Sequence, residues 1–333
     1  MRFAMKKLVP LCLLLALLLI SCAQGAPEAA PKPEPTAAAA PVPTPVPTPE
    51  PTPEPTPEPT PDVLLQGQTL PWDTRELILG SDEGLDDALP QLPLLERVDL
   101  SGCTLSSERM DELLSLRPDV DFLFTLRFGE WQVRSDITCF STLRTGDDDC
   151  RRYTQEELYP LLRFCRHLRA LDLGHNDLTD ITLIGQLPEL QVLILADNPR
   201  LADISPLGEL SELRYIELFL CWPIEDFSCL YRLTKLQDLN MSYCRNLDDL
   251  GFLDAMPDFE NGWFLRTGVT AEIVEPILAE RPELTILYGY LPDIASTAYG
   301  WRGTERNAAI RYAFTNWRRV GEWRSWDDVT FIP

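Results

Sequence analysis

Residues 168–258 fall into four lines: LRALDLGHNDLTDITLIGQLPE from Leu168, LQVLILADNPRLADISPLGELSE from Leu190, LRYIELFLCWPIEDFSCLYRLTK from Leu213 and LQDLNMSYCRNLDDLGFLDAMPD from Leu236. A fifth line starts at Phe259, so the starts are 22, 23, 23 and 23 residues apart. Leu171, Leu193, Ile216 and Leu239 share one column. Leu173, Leu195, Leu218 and Met241 share another two positions on, and Asn176, Asn198, Cys221 and Cys244 share a third. An acid-apolar step recurs at Asp180-Ile181, Asp203-Ile204, Asp226-Phe227 and Asp249-Leu250. Self-similarity at a fixed short period is the mark of a solenoid, in which each unit buries its apolar side against the next.

Each column has a physical meaning. Alternate side chains of a strand face opposite ways, so the Leu side of LxLxL points to a core and the x side to the concave face. The Asn or Cys column sits in the turn after the strand, where buried backbone groups lack a sheet partner. The Asp of the acid-apolar step is placed to cap a short helical turn on the convex side. These lines resemble the leucine-rich repeat, LxxLxLxxN/C, and the short period with its Asp-Ile step resembles the internalin-type subclass. The resemblance covers residues 74–289 and is strongest over 168–256. It implies an α/β leucine-rich-repeat solenoid: a curved parallel sheet on the concave face, short helical turns and some true helices on the convex face, and a C-terminal cap.

Working toward the N-terminus, Leu77, Leu79 and Asp82 fit one degenerate line; Val98, Leu100 and Cys103 fit another. The segments opening at Leu105, Thr154 and Val269 carry Ser or Thr, then acids, then helical apolar spacing, and predict true convex helices. Thr154 and Glu157 form a candidate capping box. Residues 121–153 read as an irregular insertion, with Phe122–Phe128 strand-like and Gly129-Glu130 placed to turn a hairpin into Trp131-Gln132-Val133. The acidic run Asp147-Asp148-Asp149 lacks EF-hand spacing and reads as a solvated loop. The repeat domain is thus expected over 63–290.

Residues 291–333 change composition, with Trp301, Trp317, Trp323 and Trp326 among several Arg. Thr304 can cap a helix with Ile310, Phe314 and Trp317 on one face. This reads as a Trp/Arg-rich cap closing the last repeat. Its alternative is a site for cell-wall glycan or a membrane surface. Asn198, in the turn column, is expected to matter far more to stability than Asn307 in the cap helix.

The first residues form an address. Arg2, Lys6 and Lys7 precede an apolar run that is short for a membrane span. The run ends in Leu19-Ile20-Ser21-Cys22, which resembles the lipobox of bacterial lipoproteins. That resemblance implies a signal peptide over 1–21 and an acylated Cys22 that holds the chain to a lipid bilayer, outside the cytoplasm. Residues 22–62 then form a linker, with 15 of the chain's 30 prolines between Pro27 and Pro61. Alternating Pro favours polyproline II, and its 35 residues would reach roughly 110 Å if fully extended.

Composition narrows the function. A net charge of −23 over 333 residues argues against a nucleic-acid partner, which needs a basic face. With two His, no CxxC, no Gly-rich phosphate loop and no HExxH, the sequence offers no catalytic, metal or cofactor motif. Interchange of Asn with Cys103, Cys221 and Cys244 in the turn column argues for a ladder rather than disulfides. His175 and Asp197 could pair on the concave rim, but no nucleophile is placed beside them.

The expected role is recognition of a protein or peptide, with a structural envelope role as the alternative and a lipid-anchored hydrolase the least favoured reading. On the concave face the register places Ile194, Tyr215, Glu217, Phe219, Asn240 and Trp263, with Tyr243 and Arg266 just beyond on the loop side. Aromatics gathered there are the expected partner-binding residues.

Overall fold

The structure, a computed structural model, describes residues 62–128, 131–143, 151–290, 300–301 and 303–320. The chain divides into two units, Met1–Glu58 and Pro59–Pro333, and every described residue lies in the second. The lipobox, most of the linker, the acidic loop, Trp323 and Trp326 fall outside the described residues.

Seven parallel strands form the main sheet: β8 (Cys139–Ser141), β9 (Ala170–Asp172), β10 (Val192–Ile194), β11 (Tyr215–Glu217), β12 (Asp238–Asn240), β13 (Asn261–Leu265) and β14 (Thr285–Gly289), in sequence order. The register is that of the sequence columns: Leu171 pairs Leu193, Leu193 pairs Ile216, and Ile216 pairs Leu239. Both Leu columns are fully buried, as are Leu168, Leu190, Leu213 and Leu236 at the line starts. The Asp of each acid-apolar step accepts a backbone N–H two residues on: Thr182 at 2.7 Å, Ser205 and Ser228 at 2.8 Å, and Gly251 at 3.1 Å. Each opens the convex 3-10 turn that returns the chain.

The turn column does what its chemistry suggests. Asn198 Nδ2 donates to the carbonyls of Leu173 and Leu195 at 2.9 and 2.8 Å, and Oδ1 accepts from Leu178 N–H. Cys221 and Cys244 donate their thiols to Leu195 and Leu218 carbonyls at 3.2 Å, and Cys103 to Leu79 at 3.4 Å. All three carry free thiols. Immediately before this column the backbone is left-handed at His175, Asp197, Leu220, Tyr243 and Arg266. That geometry aims each N–H at the next repeat, for example His175 to the Ala196 carbonyl at 2.7 Å and Arg266 to Gly289 at 2.9 Å. The ladder outweighs the steric cost of left-handed non-glycine residues.

On the N-terminal side, β3 (Glu76–Ile78), β4 (Arg97–Asp99) and β5 (Asp121–Leu123) form a second parallel sheet, preceded by the hairpin β1 (Val63–Leu65) and β2 (Gln68–Leu70). Convex helices are α1 (Leu85–Ala88), α2 (Ser107–Leu116), α3 (Gln155–Leu162) and α4 (Ala271–Glu280). Ser106 caps α2, and the Glu157 carboxylate accepts from Thr154 N–H at 3.0 Å at the start of α3.

The insertion is narrower than 121–153. Asp121–Leu123 and Cys139–Ser141 are repeat strands, because each finds a parallel neighbour. The break between them holds the antiparallel hairpin β6 (Thr125–Phe128) and β7 (Trp131–Arg134).

The last helix among the described residues, α5 (Glu305–Val320), follows a cap in which Thr304 Oγ1 accepts from Asn307 N–H at 3.2 Å. It does not simply close the last repeat. Trp301, just before it, meets β11 and β13, Arg306 and Asn307 reach β11, β12 and Glu260, and the helix then packs on β8. It runs back across the concave face.

Candidate binding site

The cap changes the expected site. Ile194, Tyr215, Glu217, Asn240 and Trp263 are buried, at most 6% exposed. They therefore do not form the open aromatic face the register implied. The strand periodicity aims them at the concave side, and Trp301 and α5 then cover that side. The Trp301 ring meets Trp263 edge to face, with centroids 4.2 Å apart, and lies tilted against Tyr215 at 5.0 Å. Asn307 Nδ2 donates to Tyr215 Oη at 2.6 Å, and that hydroxyl donates to Glu217 Oε1. Arg306 pairs with Asp238 at 2.8 Å and Glu260 at 3.0 Å. Burial pushes the carboxyls of Asp172, Glu217 and Asp238 above the usual range, partly offset by Arg311 beside Asp172 and Glu217 and by Arg306 beside Asp238.

Three of the expected residues do reach solvent: Phe219, Tyr243 and Arg266, each half-buried at the loop ends of the strands. Phe219 and Tyr243 meet edge to face at 5.4 Å. The Arg266 guanidinium lies 5.3 Å from the Tyr243 ring and 3.9 Å from that of Tyr290. Tyr290 is 69% exposed, and Trp222, nearby in the same rim of turns, is 45% exposed with Arg245 over its ring at 5.8 Å. Tyr290 and Trp222 were missed by the sequence reading. Tyr290 sits in the same column as Tyr243 and Arg266, counted from β14, and extending the register by one line would have found it.

The repeat geometry explains the gathering. The left-handed turn residue projects from the same place in every repeat, and neighbouring strands lie about 4.8 Å apart. Tyr243 and Arg266 are thus stacked by the backbone itself, Tyr290 follows the left-handed Gly289 in the same column, and a guanidinium between two aromatic faces is held by cation–π attraction.

His175 Nδ1 lies 2.9 Å from Asp197 Oδ2, as the sequence suggested, but Arg152 donates to that same oxygen at 2.6 Å. The pair is part of an ion network at the rim. Among the described residues no group of three or more His, Cys, Asp or Glu could hold a metal ion, and no helix is long and apolar enough to cross a membrane.

The family profile described as Leucine Rich repeats (2 copies) matches residues 166–209. Together with the seven-strand register, this decides the architecture. The fold is a leucine-rich-repeat solenoid. Similar solved structures include an internalin (inlF) from Listeria monocytogenes, 19% identical, covering 70% of this chain and 60% of that one at a TM-score of 0.36. An internalin C2 from the same organism is 22% identical, covering 41% and 68% at 0.31. A leucine-rich-repeat protein of Leptospira interrogans is 16% identical, covering 60% and 50% at 0.30. The chain thus spans about 60% of the inlF internalin. No curated protein matches. A solenoid of this kind offers extended surfaces for protein binding.

Proposed function

We propose that this chain is an extracytoplasmic binding protein, held to a bacterial membrane through acylated Cys22, that recognises a protein or peptide partner. Its contact surface is the rim of Phe219, Tyr243, Arg266 and Tyr290, extended by Trp222 and Arg245. The Tyr243–Arg266–Tyr290 stack carries this reading: rigid aromatic and Arg side chains, pre-organised and partly exposed, are what binding hot spots are made of. The alternative, a wall-polymer anchor in the Trp/Arg-rich tail, is weaker because Trp301 and Arg306 are committed to contacts within the fold.

A photo-crosslinking residue placed at Tyr290 on intact cells is expected to trap a discrete protein species that the same residue at Asp203, on the convex side, does not trap. Equal products from both positions, or none from Tyr290, would move the surface elsewhere. Anchoring is tested separately: Cys22→Ser should abolish labelling by a palmitate analogue, and undiminished labelling would remove the lipobox reading.

A further inference from the structure

The cap interface differs from the rest of the core. Among the described residues, four buried side-chain polar atoms find no hydrogen-bond partner, and three belong to this interface: Trp263 Nε1, Trp301 Nε1 and Asn307 Oδ1. The Trp301 indole is directed at Glu217 and holds its carboxyl down against the larger effect of burial. Natural cores leave few such groups, because each costs the desolvation of an unmade bond. The contacts that are made, Arg306 on Asp238 and Glu260 and Asn307 on Tyr215, are charged and polar. Together with two indoles they have the composition of a protein–protein interface rather than of a repeat core. The underlying face is anionic and aromatic, with Asp172, Glu217 and Asp238 beside Tyr215 and Trp263. The helix that covers it brings Arg306, Arg311 and the apolar Ile310 and Phe314.

We infer that the concave face is a second binding site, separate from the aromatic rim, whose ligand is an amphipathic helix bearing Arg and aromatic residues from another protein, and that residues 300–320 are its resident, exchangeable occupant. Complementarity of charge argues for this ligand class. Asp238 is matched by Arg306 at 2.8 Å, with the charge of Arg311 acting on Asp172 and Glu217, and an acidic or purely apolar helix would leave Asp238 buried without a cation. The unpartnered Trp263 Nε1 of the groove leaves a bond that a competing helix can make, and the unpartnered Trp301 and Asn307 atoms weaken the resident's own hold, so the resident does not saturate the site.

The probe is a fluorescent peptide of residues 300–320, titrated into the 59–333 unit. The parent should bind it weakly, because its own helix competes. Arg306→Ala with Asn307→Ala in the protein should raise the apparent affinity by about tenfold or more, since the competent fraction of empty grooves rises. A peptide carrying Arg306→Ala and Arg311→Ala should lose that binding. No gain in the protein variant, or undiminished binding of the substituted peptide, would overturn the inference. Hydrogen exchange on the unaltered protein tests it without any variant: α5 amides should exchange through a local opening, with far less protection than β10–β12. Protection of α5 equal to that of those strands would make it permanent core and overturn the inference. A concentration-dependent dimer of the parent that exchanges the labelled helix between copies would assign the groove to a second copy of the chain and overturn the outside partner.

Discussion

Asn198 and Cys221 occupy equivalent turns and solve one problem with different chemistry. The amide makes two donations and accepts one, while the thiol makes a single weak donation. Asn198→Ala strands the Leu178 N–H and leaves the Leu173 and Leu195 carbonyls only their second donors, Asn176 and Cys221, and should cost about 1–3 kcal/mol, read from chemical denaturation. Cys221→Ala should cost less. Asn307 is not the bland surface residue its place in a cap helix suggested: it is buried on Tyr215, so its loss to Ala should also destabilise, by about 1 kcal/mol. His167 belongs to the same scale. Its Nε2 lies 3.0 Å from Asp121 Oδ1, bridging the start of a main-sheet repeat to β5. The bond to Asp121 raises the His167 pKa above its ordinary 6.5, helped by the charges of Asp121 and Glu189 and opposed by burial and Arg97. A raised folded-state value means the imidazolium is worth stability that is fully present below pH 6.5 and lost as pH rises through the folded pKa. The stability gap between the parent and His167→Asn, read from a series of denaturation curves, should therefore be widest below pH 6.5, over the range in which Asp121 stays ionised, and close with rising pH. A gap independent of pH would deny the ion pair.

At the scale of the repeat, the fifth line departs from its sisters in two columns. Gly262 stands where the others have Leu or Ile, and Phe264 stands where they have Leu or Met. A Cβ on Gly262 would lie 2.5 Å from the Phe264 ring, so the ring fills the volume of two side chains. Gly262→Ala should cost about 1–3 kcal/mol by overpacking. Phe264→Leu in the same chain should recover part of that loss, a coupling that thermal melts of both single variants and the double variant would expose. Exchanges of this sort are legible in sequence because they are local: the Leu columns, the Asn/Cys turn and the Asp caps recur at a fixed step and need no distant partner. The β1–β2 hairpin was not legible, since it belongs to no repeat. Residues 121–123 and 139–141 were read as insertion because three-residue strands beside a hairpin carry too little periodicity to show their parallel neighbours.

At the scale of the molecule, what the sequence concealed is one long-range contact. Tyr215 and Asn307 meet across 92 residues of chain, with no spacing or pattern linking them. Strand alternation aimed Tyr215 and Trp263 at the concave side; nothing in it could say that a helix would lie there. The same contact sets the final expectation. Trp263 belongs to strand β13 and is 2% exposed, covered by Trp301, so Trp263→Ala leaves a cavity between the strand and the cap and should cost about 3–5 kcal/mol. Trp301 is as well covered, at 4%, but is reached only through the cap. Once its loss exceeds what holds α5 down, the helix undocks and further cost to the repeats stops, so local opening sets a ceiling on the damage. Trp301→Ala should therefore lower the main unfolding transition less than Trp263→Ala, while abolishing the protection of α5 amides in hydrogen exchange. Equal losses in the two variants, with α5 still protected, would mean that the cap and the repeats unfold as one body and that the concave face never opens on its own.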